Sequence, residues 1–299
     1  MRAIVERHHI SLMPPVSSLS GGASTVYVLN EEVVLRVPRG AEHLAAFERE
    51  ATVIALAREA GVRTPELLAF GTLPPDRLDL NWPYMLLQRV RGENLGTLDL
   101  APREVPAVYR DLGRDLARWH LRKVGADDPL AALPRDPHDD LRAGLAQLTE
   151  QGFLDVDGAR WLEMWLNRLA PQAARPLIWR VVHGDARPTN VIVSPDANTY
   201  RALLDWGDAH WADPASEFAL MPLRAVPFAL QGYREVRPNA QEEVSEARIL
   251  WYHLGWAIYA LRRPPSSEAA WSVPPAGRLL ELLRFFVENS ASPWAELAP

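Results

Sequence analysis

Between Val181 and Asp208 the chain reads VVHGDARPTNVIVSPDANTYRALLDWGD, a strand-rich island in a second half otherwise patterned as helix. Val191 to Ser194 and Tyr200 to Asp205 are β-like, and the PDAN between them has turn composition. The two runs therefore read as an antiparallel hairpin, and a turn centred between Ala197 and Asn198 sets Asn190 opposite Asp205. Directly opposed residues hold their Cβ atoms about 4.5–5.5 Å apart on one face. A carboxylate and an amide oxygen so placed are a hard-oxygen pair that suits Mg2+ completed by water and phosphates. Asp185, on the loop entering the hairpin, reaches the same open end and is free to accept a proton. The rival reading is a solvated bulge, because Asp and Asn favour turns in any case.

The first third of the chain has a different pattern. TVYVLNEEVVLRVPRG gives two strands, Thr25 to Leu29 and Val33 to Val37, joined by Asn30, Glu31 and Glu32. Before them SLSGGASTV supplies Gly21, Gly22 and Ser24, a pliable stretch whose backbone N–H groups could face phosphate, though such a stretch is equally an ordinary turn. Ala41 to Ala60 is helical and ends at Gly61. Glu50 falls inside the apolar arc of that helix, where an ionised carboxylate needs a cationic partner, and Arg36 on the preceding strand is the nearest candidate in sequence. A strand from Tyr84 to Val90 precedes a turn at Arg91 and Gly92. Helices are predicted downstream at Val105 to Arg122, Leu141 to Gln151, Ala159 to Leu169, Glu242 to Arg262 and Ala276 to Asn289. The outline is α+β and two-lobed: a small strand-rich lobe over 1–90 and a larger helical one over 91–299.

Composition narrows the function. With 299 residues and 48% hydrophobic content the chain can bury a full core, and a formal net charge of −6 with no basic tail disfavours nucleic acid or an anionic membrane as partner. The opening MRAIVERHHISLMPP lacks the apolar core of a signal peptide, and no run of about 18 apolar residues occurs. The absence of cysteine excludes disulfides, thiolate nucleophiles and Cys-built zinc sites, and fits a cytoplasmic location.

HGDARPTN, from His183 to Asn190, followed by LLDWGD ending at Asp208, resembles the aminoglycoside phosphotransferase and choline kinase-like family, small-molecule relatives of protein kinases. The resemblance continues in order along the chain: glycine-containing loop, basic residue on a strand, helix glutamate, hinge strand, catalytic loop, metal aspartate, then ADPASEFAL. It implies a protein kinase-like two-lobed fold and transfer of the γ-phosphate of ATP or GTP to a hydroxyl of a small molecule: an aminoglycoside, a macrolide, or a sugar or amino alcohol metabolite. By the same resemblance Asp185 is the base, and Asn190 and Asp205 hold Mg2+. Gly21, Gly22, Ser24, Arg36 and Glu50 serve the nucleotide phosphates, and the nucleobase lies against the hinge at Gln88 and Val90. His183 and Asp213 are structural supports. Asp208, Trp211 and Glu217 are acceptor candidates, with Glu242 and Glu243 as further carboxylates that would suit a cationic amino sugar. Three features depart from the pattern. Arg36 stands where lysine is usual, SGGAST is not the protein-kinase glycine fingerprint, and no APE follows DWGD. The last two disfavour a protein acceptor, and no protein partner is expected. The first keeps open an alternative, a nucleotide-binding pseudokinase that regulates a partner.

Overall fold

Alternating apolar residues near the N-terminus build an antiparallel sheet with both faces covered. The computed structural model describes residues 1–20, 22–73, 82–136, 140–173, 178–265, 272–289 and 294–299. Its first part comprises α1 (Arg2–Arg7), β1 (Ser17–Ser20), β2 (Ser24–Val28), β3 (Val33–Pro38), α2 (Leu44–Glu59), β4 (Leu67–Thr72) and β5 (Pro83–Gln88), with sheet order β1-β2-β3-β5-β4. The β2–β3 turn is closed by Asn30, whose Oδ1 accepts the N–H groups of Glu32 at 2.8 Å and Val33 at 2.9 Å. Leu35 and Leu86 face Ile4 of α1, while Met85 and Leu87 on the opposite face join Phe47, Val53 and Ile54 of α2 in the main core.

The rest of the chain contains β6 (Glu93–Asn94), α3 (Pro106–Leu121), α4 (Leu141–Glu150), α5 (Val156–Ala173), β7 (Arg180–Val182), β8 (Val191–Val193), β9 (Tyr200–Leu203), β10 (His210–Ala212), α6 (Val226–Val236), α7 (Glu246–Ala260) and α8 (Gly277–Glu288). Helix α7 starts later than the apolar pattern suggests because Ser245 caps it, its side chain accepting the Arg248 N–H at 3.4 Å. Sequence reasoning placed no helix where α6 lies, a helix that contains Pro227 and Gly232. The proline sits in the first turn, where it costs no hydrogen bond. The glycine sits where α6 crosses α3: a Cβ at Gly232 would lie 1.8 Å from the Arg110 carbonyl, and one at Gly113 would lie 1.8 Å from that of Ala229.

The hairpin β8–β9 forms, but its register differs from the expected one. Val191 pairs with Leu203 and Ile192 with Ala202, an irregularity follows before Val193, and the Leu204 N–H donates to the Asn190 carbonyl at 2.8 Å. Asn190 is therefore opposite Leu204, not Asp205. Two features cause this: with Ala197 at φ 56° the connection closes between Ser194 and Thr199, which puts Val193 opposite Tyr200 rather than Ala202, and the irregularity between Ile192 and Val193 restores one of those two residues. No helix among the described residues is long and apolar enough to cross a membrane.

Candidate active site

The loop between β7 and β8 is fixed by its own backbone donors. Glu217 is 1% exposed and its carboxylate accepts the N–H of His183 at 2.6 Å and of Gly184 at 3.2 Å. Burial alone would raise the Glu217 pKa, but bonds from His120 and His183 hold it below the usual carboxylate range. Glu217 is thus no acceptor contact but the brace beneath the loop. Behind it His120 Nε2 lies 3.5 Å away, and His120 Nδ1 meets the Tyr233 hydroxyl at 2.9 Å. Buried His183 accepts the Asp185 N–H on Nδ1 at 3.0 Å and donates from Nε2 to the Leu204 carbonyl at 2.9 Å, which ties loop to hairpin in one tautomer. Gly184 has φ +82°, and a Cβ there would lie 2.4 Å from the Asp208 carbonyl, so only glycine fits.

Asp185 emerges from this frame. One carboxylate oxygen accepts Asn190 Nδ2 at 2.8 Å, and the other pairs with Arg187 Nε. Burial pushes the Asp185 carboxyl up, Arg187 and His183 pull it back, and nearby Asp208 raises it. Asn190 Nδ2 also donates to the Asp185 carbonyl at 2.9 Å, so the amide nitrogen is committed and its oxygen accepts no hydrogen bond among the described residues. Asp205, just past the hairpin, adopts φ 64°, and this left-handed turn brings its carboxylate to Arg36 Nη2 at 3.3 Å. A half-exposed carboxylate and an amide oxygen are donors that fit Mg2+, which accepts few protein oxygens and completes its shell with water and phosphate.

Arg36 of β3 joins the sheet to this centre. Its Nη1 pairs with Glu50 of α2, its Nη2 meets Asp205, and Nε and Nη2 donate to Ser24 Oγ at 3.2 and 3.0 Å. Burial pushes the Glu50 pKa up to about 7 against the pull of Arg36, and the Trp206 backbone N–H donates to the same carboxylate. Ser24, expected at the nucleotide, is 4% exposed and its hydroxyl instead supports Arg36. A Cβ at Gly22 would meet nothing within 4 Å, so that position faces open space; Gly21 lies outside the described residues. At the expected hinge, the Gln88 N–H is spent on the Glu66 carbonyl at 2.9 Å and the Arg89 N–H on that of Glu32 at 2.7 Å.

Among the remaining candidates, Asp213 caps the segment Pro214–Leu220 by accepting the Ala215 N–H at 2.9 Å and forms a buried ion pair with Arg248. Asp208 is exposed beside Asp185. Trp211 donates from Nε1 to the Leu130 carbonyl at 2.9 Å, and it lines a cavity with Trp119, Lys123 and Trp179. Glu243 is taken by Arg237 at 2.7 Å and Arg180 at 3.8 Å, and Glu242 is exposed beside it. Sequence reasoning missed Arg187, which stands inside the quoted motif and pairs with Asp185.

A strand-rich first part bound through a basic residue to a catalytic-type loop on helices defines a kinase-like phosphotransferase. The description "Phosphotransferase enzyme family" (APH) matches residues 15–262, and the chain belongs to that family. Among solved structures, the GDP complex of aminoglycoside 2'-phosphotransferase-IIIa aligns with TM-score 0.67 and 18% identity over 96% of this chain and 97% of that one. The streptomycin–ATP–APH(2")-IIa ternary complex gives TM-score 0.55 and 16% identity over 87% and 91%. ADP-bound APH(2'')-Ib gives 0.55 and 16% over 88% and 93%. These likenesses establish the kinase-like α+β fold.

Proposed function

We propose that the protein transfers the γ-phosphate of ATP or GTP to a hydroxyl of a small molecule, with Asp185 as base and with Asn190 and Asp205 as the residues that would hold Mg2+. Its family and fold make it a nucleotide-dependent small-molecule kinase. The observation that carries the residue roles is the setting of Asp185: a carboxylate with raised proton affinity, oriented by Asn190 on a loop whose own N–H groups are fixed by Glu217 and His183. In this reading 1–90 is the nucleotide-binding lobe, and 91–299 carries the catalytic loop and acceptor pocket.

Asp185 accepts the acceptor's hydroxyl proton as that oxygen bonds to the γ-phosphorus and the bond to the β-phosphate oxygen breaks, releasing nucleoside diphosphate. Such a base contributes about 10²- to 10⁴-fold, so the rest comes from positioning and from charge neutralisation. Mg2+, when bound, supplies neutralisation of the phosphate oxygens. Arg36, gripped by Glu50 and Ser24, presents a fixed guanidinium to the phosphates. Structural neighbours captured with GDP, ATP and ADP support either purine nucleotide. Neighbours captured with kanamycin and gentamicin support a drug acceptor, for which the activity would be antibiotic resistance; a macrolide or a sugar or amino alcohol metabolite fits the same chemistry. Use of a cellular nucleotide and a cysteine-free chain fit a cytoplasmic location. The test is nucleotide consumption with ATP and with GTP against a mixed library of antibiotics, polyols, hydroxy acids and amino alcohols. Acceptor-dependent release of diphosphate supports the proposal, and tight nucleotide binding without transfer to any compound supports the pseudokinase instead.

A further inference from the structure

Where the chain leaves the hinge it runs directly onto the catalytic hairpin. After β5 and residues 89–92 it forms β6, which pairs with β8 in the register Glu93↔Val193 and Asn94↔Ile192. It then makes one tight helical turn, Leu95–Thr97, packed against the turn Pro188–Asn190 that ends the catalytic loop. Asn94 stands at this junction, and both ends of its amide are used. Its Oδ1 accepts the Gly96 N–H at 2.9 Å, which caps the Leu95–Thr97 turn, and its Nδ2 donates to the Thr189 carbonyl at 2.5 Å. The partners fix which way the amide points, since a backbone N–H only donates and a carbonyl only accepts. Close packing seals the same place: a Cβ at Gly96 would lie 2.6 Å from Thr189 Cγ2 and 2.8 Å from its Cα. The Thr97 hydroxyl donates back to the Asn94 carbonyl at 2.8 Å.

The residue after Thr189 is Asn190. Its N–H bonds to the Arg187 carbonyl at 2.9 Å, its carbonyl accepts the Leu204 N–H at 2.8 Å, and its Nδ2 donates to Asp185 at 2.8 Å. Those three bonds tie Asn190 to its own loop and hairpin, and the Asn94 amide ties the backbone just before it to the hinge side. Phosphotransfer as read above needs a base held at the hinge and a metal held at Asn190 in one complex, so the spacing between hinge and loop is part of the site's geometry. Resting on that reading, we propose that Asn94 is a positioning residue: through the Thr189 carbonyl it sets Asn190 where its amide oxygen meets the Mg2+ of a nucleotide held by the hinge. Without that bond the metal itself must order the Pro188–Asn190 turn, and this ordering weakens its binding. The loss falls on the metal-dependent part of nucleotide affinity and spares the metal-free part.

Two uncharged replacements separate the two ends of the amide. Asn94→Ser keeps an oxygen that can cap the Gly96 N–H but is too short to reach Thr189, and Asn94→Ala loses both bonds. ADP is titrated by calorimetry into the wild type and each variant, once in excess EDTA and once in saturating Mg2+. The expected result is an unchanged affinity in EDTA, which also reports an intact fold, and a gain in affinity on adding Mg2+ that is about tenfold smaller in both variants than in the wild type. An undiminished gain in both variants overturns the proposal. So does a gain diminished in Asn94→Ala but kept in Asn94→Ser, which would assign the effect to the Gly96 cap. A fall in metal-free affinity with the Mg2+ gain intact would make Asn94 a contributor to base binding and overturns it as well. Failure of the phosphotransfer reading shows in the wild type instead, as no ADP binding or no gain from Mg2+, and the proposal falls with it.

Discussion

At the scale of single residues, Arg36 is the side chain on which sheet, helix and hairpin converge. Its guanidinium reaches Glu50, Asp205 and Ser24 at once, which a lysine's single ammonium cannot do from one position. Arg36→Lys is expected to raise the nucleotide KM about tenfold, equivalent to about 1.4 kcal/mol, in steady-state assays with ATP and GTP; an unchanged KM would make Arg36 a scaffold residue only. The Arg36–Glu50 contact was legible in sequence because a carboxylate on the buried arc of a helix must find a cation. The place of Glu217 was not. Acidic residues default to the surface, and what draws this one inside is a pair of loop N–H groups more than thirty positions away in the chain. The grouping of Asp185 with Asn190 was legible because the motif is local, whereas the position of Asp205 was derived from a register that a bulge and one left-handed residue in the turn displaced.

At the scale of elements, α3 and α6 cross where Gly113 and Gly232 each face a carbonyl of the other helix. At Gly232 the absence of a Cβ makes this packing possible. Gly113→Ala is expected to destabilise the fold by about 1–3 kcal/mol, read from urea unfolding midpoints, with kcat/KM of the surviving folded fraction unchanged because α3 supplies no reacting group. A variant as stable as wild type would mean that the helices separate at little cost. Helix positions were largely legible from the apolar period, but their ends moved: Ser245 caps α7 later than expected, and α5 runs from Val156 to Ala173 rather than from Ala159 to Leu169. The short strands β7 and β10 were not legible, since three residues carry too little alternation to distinguish from loop.

At the scale of the whole molecule, stability and activity respond to pH through buried groups. Burial, and then the charge of Arg278, hold the His253 pKa down to about 3, whereas in the unfolded chain it is near the ordinary 6.5. As pH falls through this window the unfolded state takes up a proton that the folded state refuses, so stability is lost with acidification at up to about 1.4 kcal/mol per pH unit. Between pH 7 and pH 5 the wild type should therefore lose about 2 kcal/mol more than His253→Gln in urea unfolding; parallel losses would show that His253 is protonated in the fold. The two-lobed α+β outline was readable because the change from period-two to helical patterning marks it. The most direct test of the central claim is 31P NMR of an incubation of the protein with Mg2+, ATP or GTP and its hydroxyl acceptor. A new phosphomonoester signal growing with nucleoside diphosphate in the wild type, and slowed about 10²- to 10⁴-fold in Asp185→Asn at near-normal nucleotide affinity, is the predicted result. An equal rate of phosphomonoester formation in Asp185→Asn would contradict it.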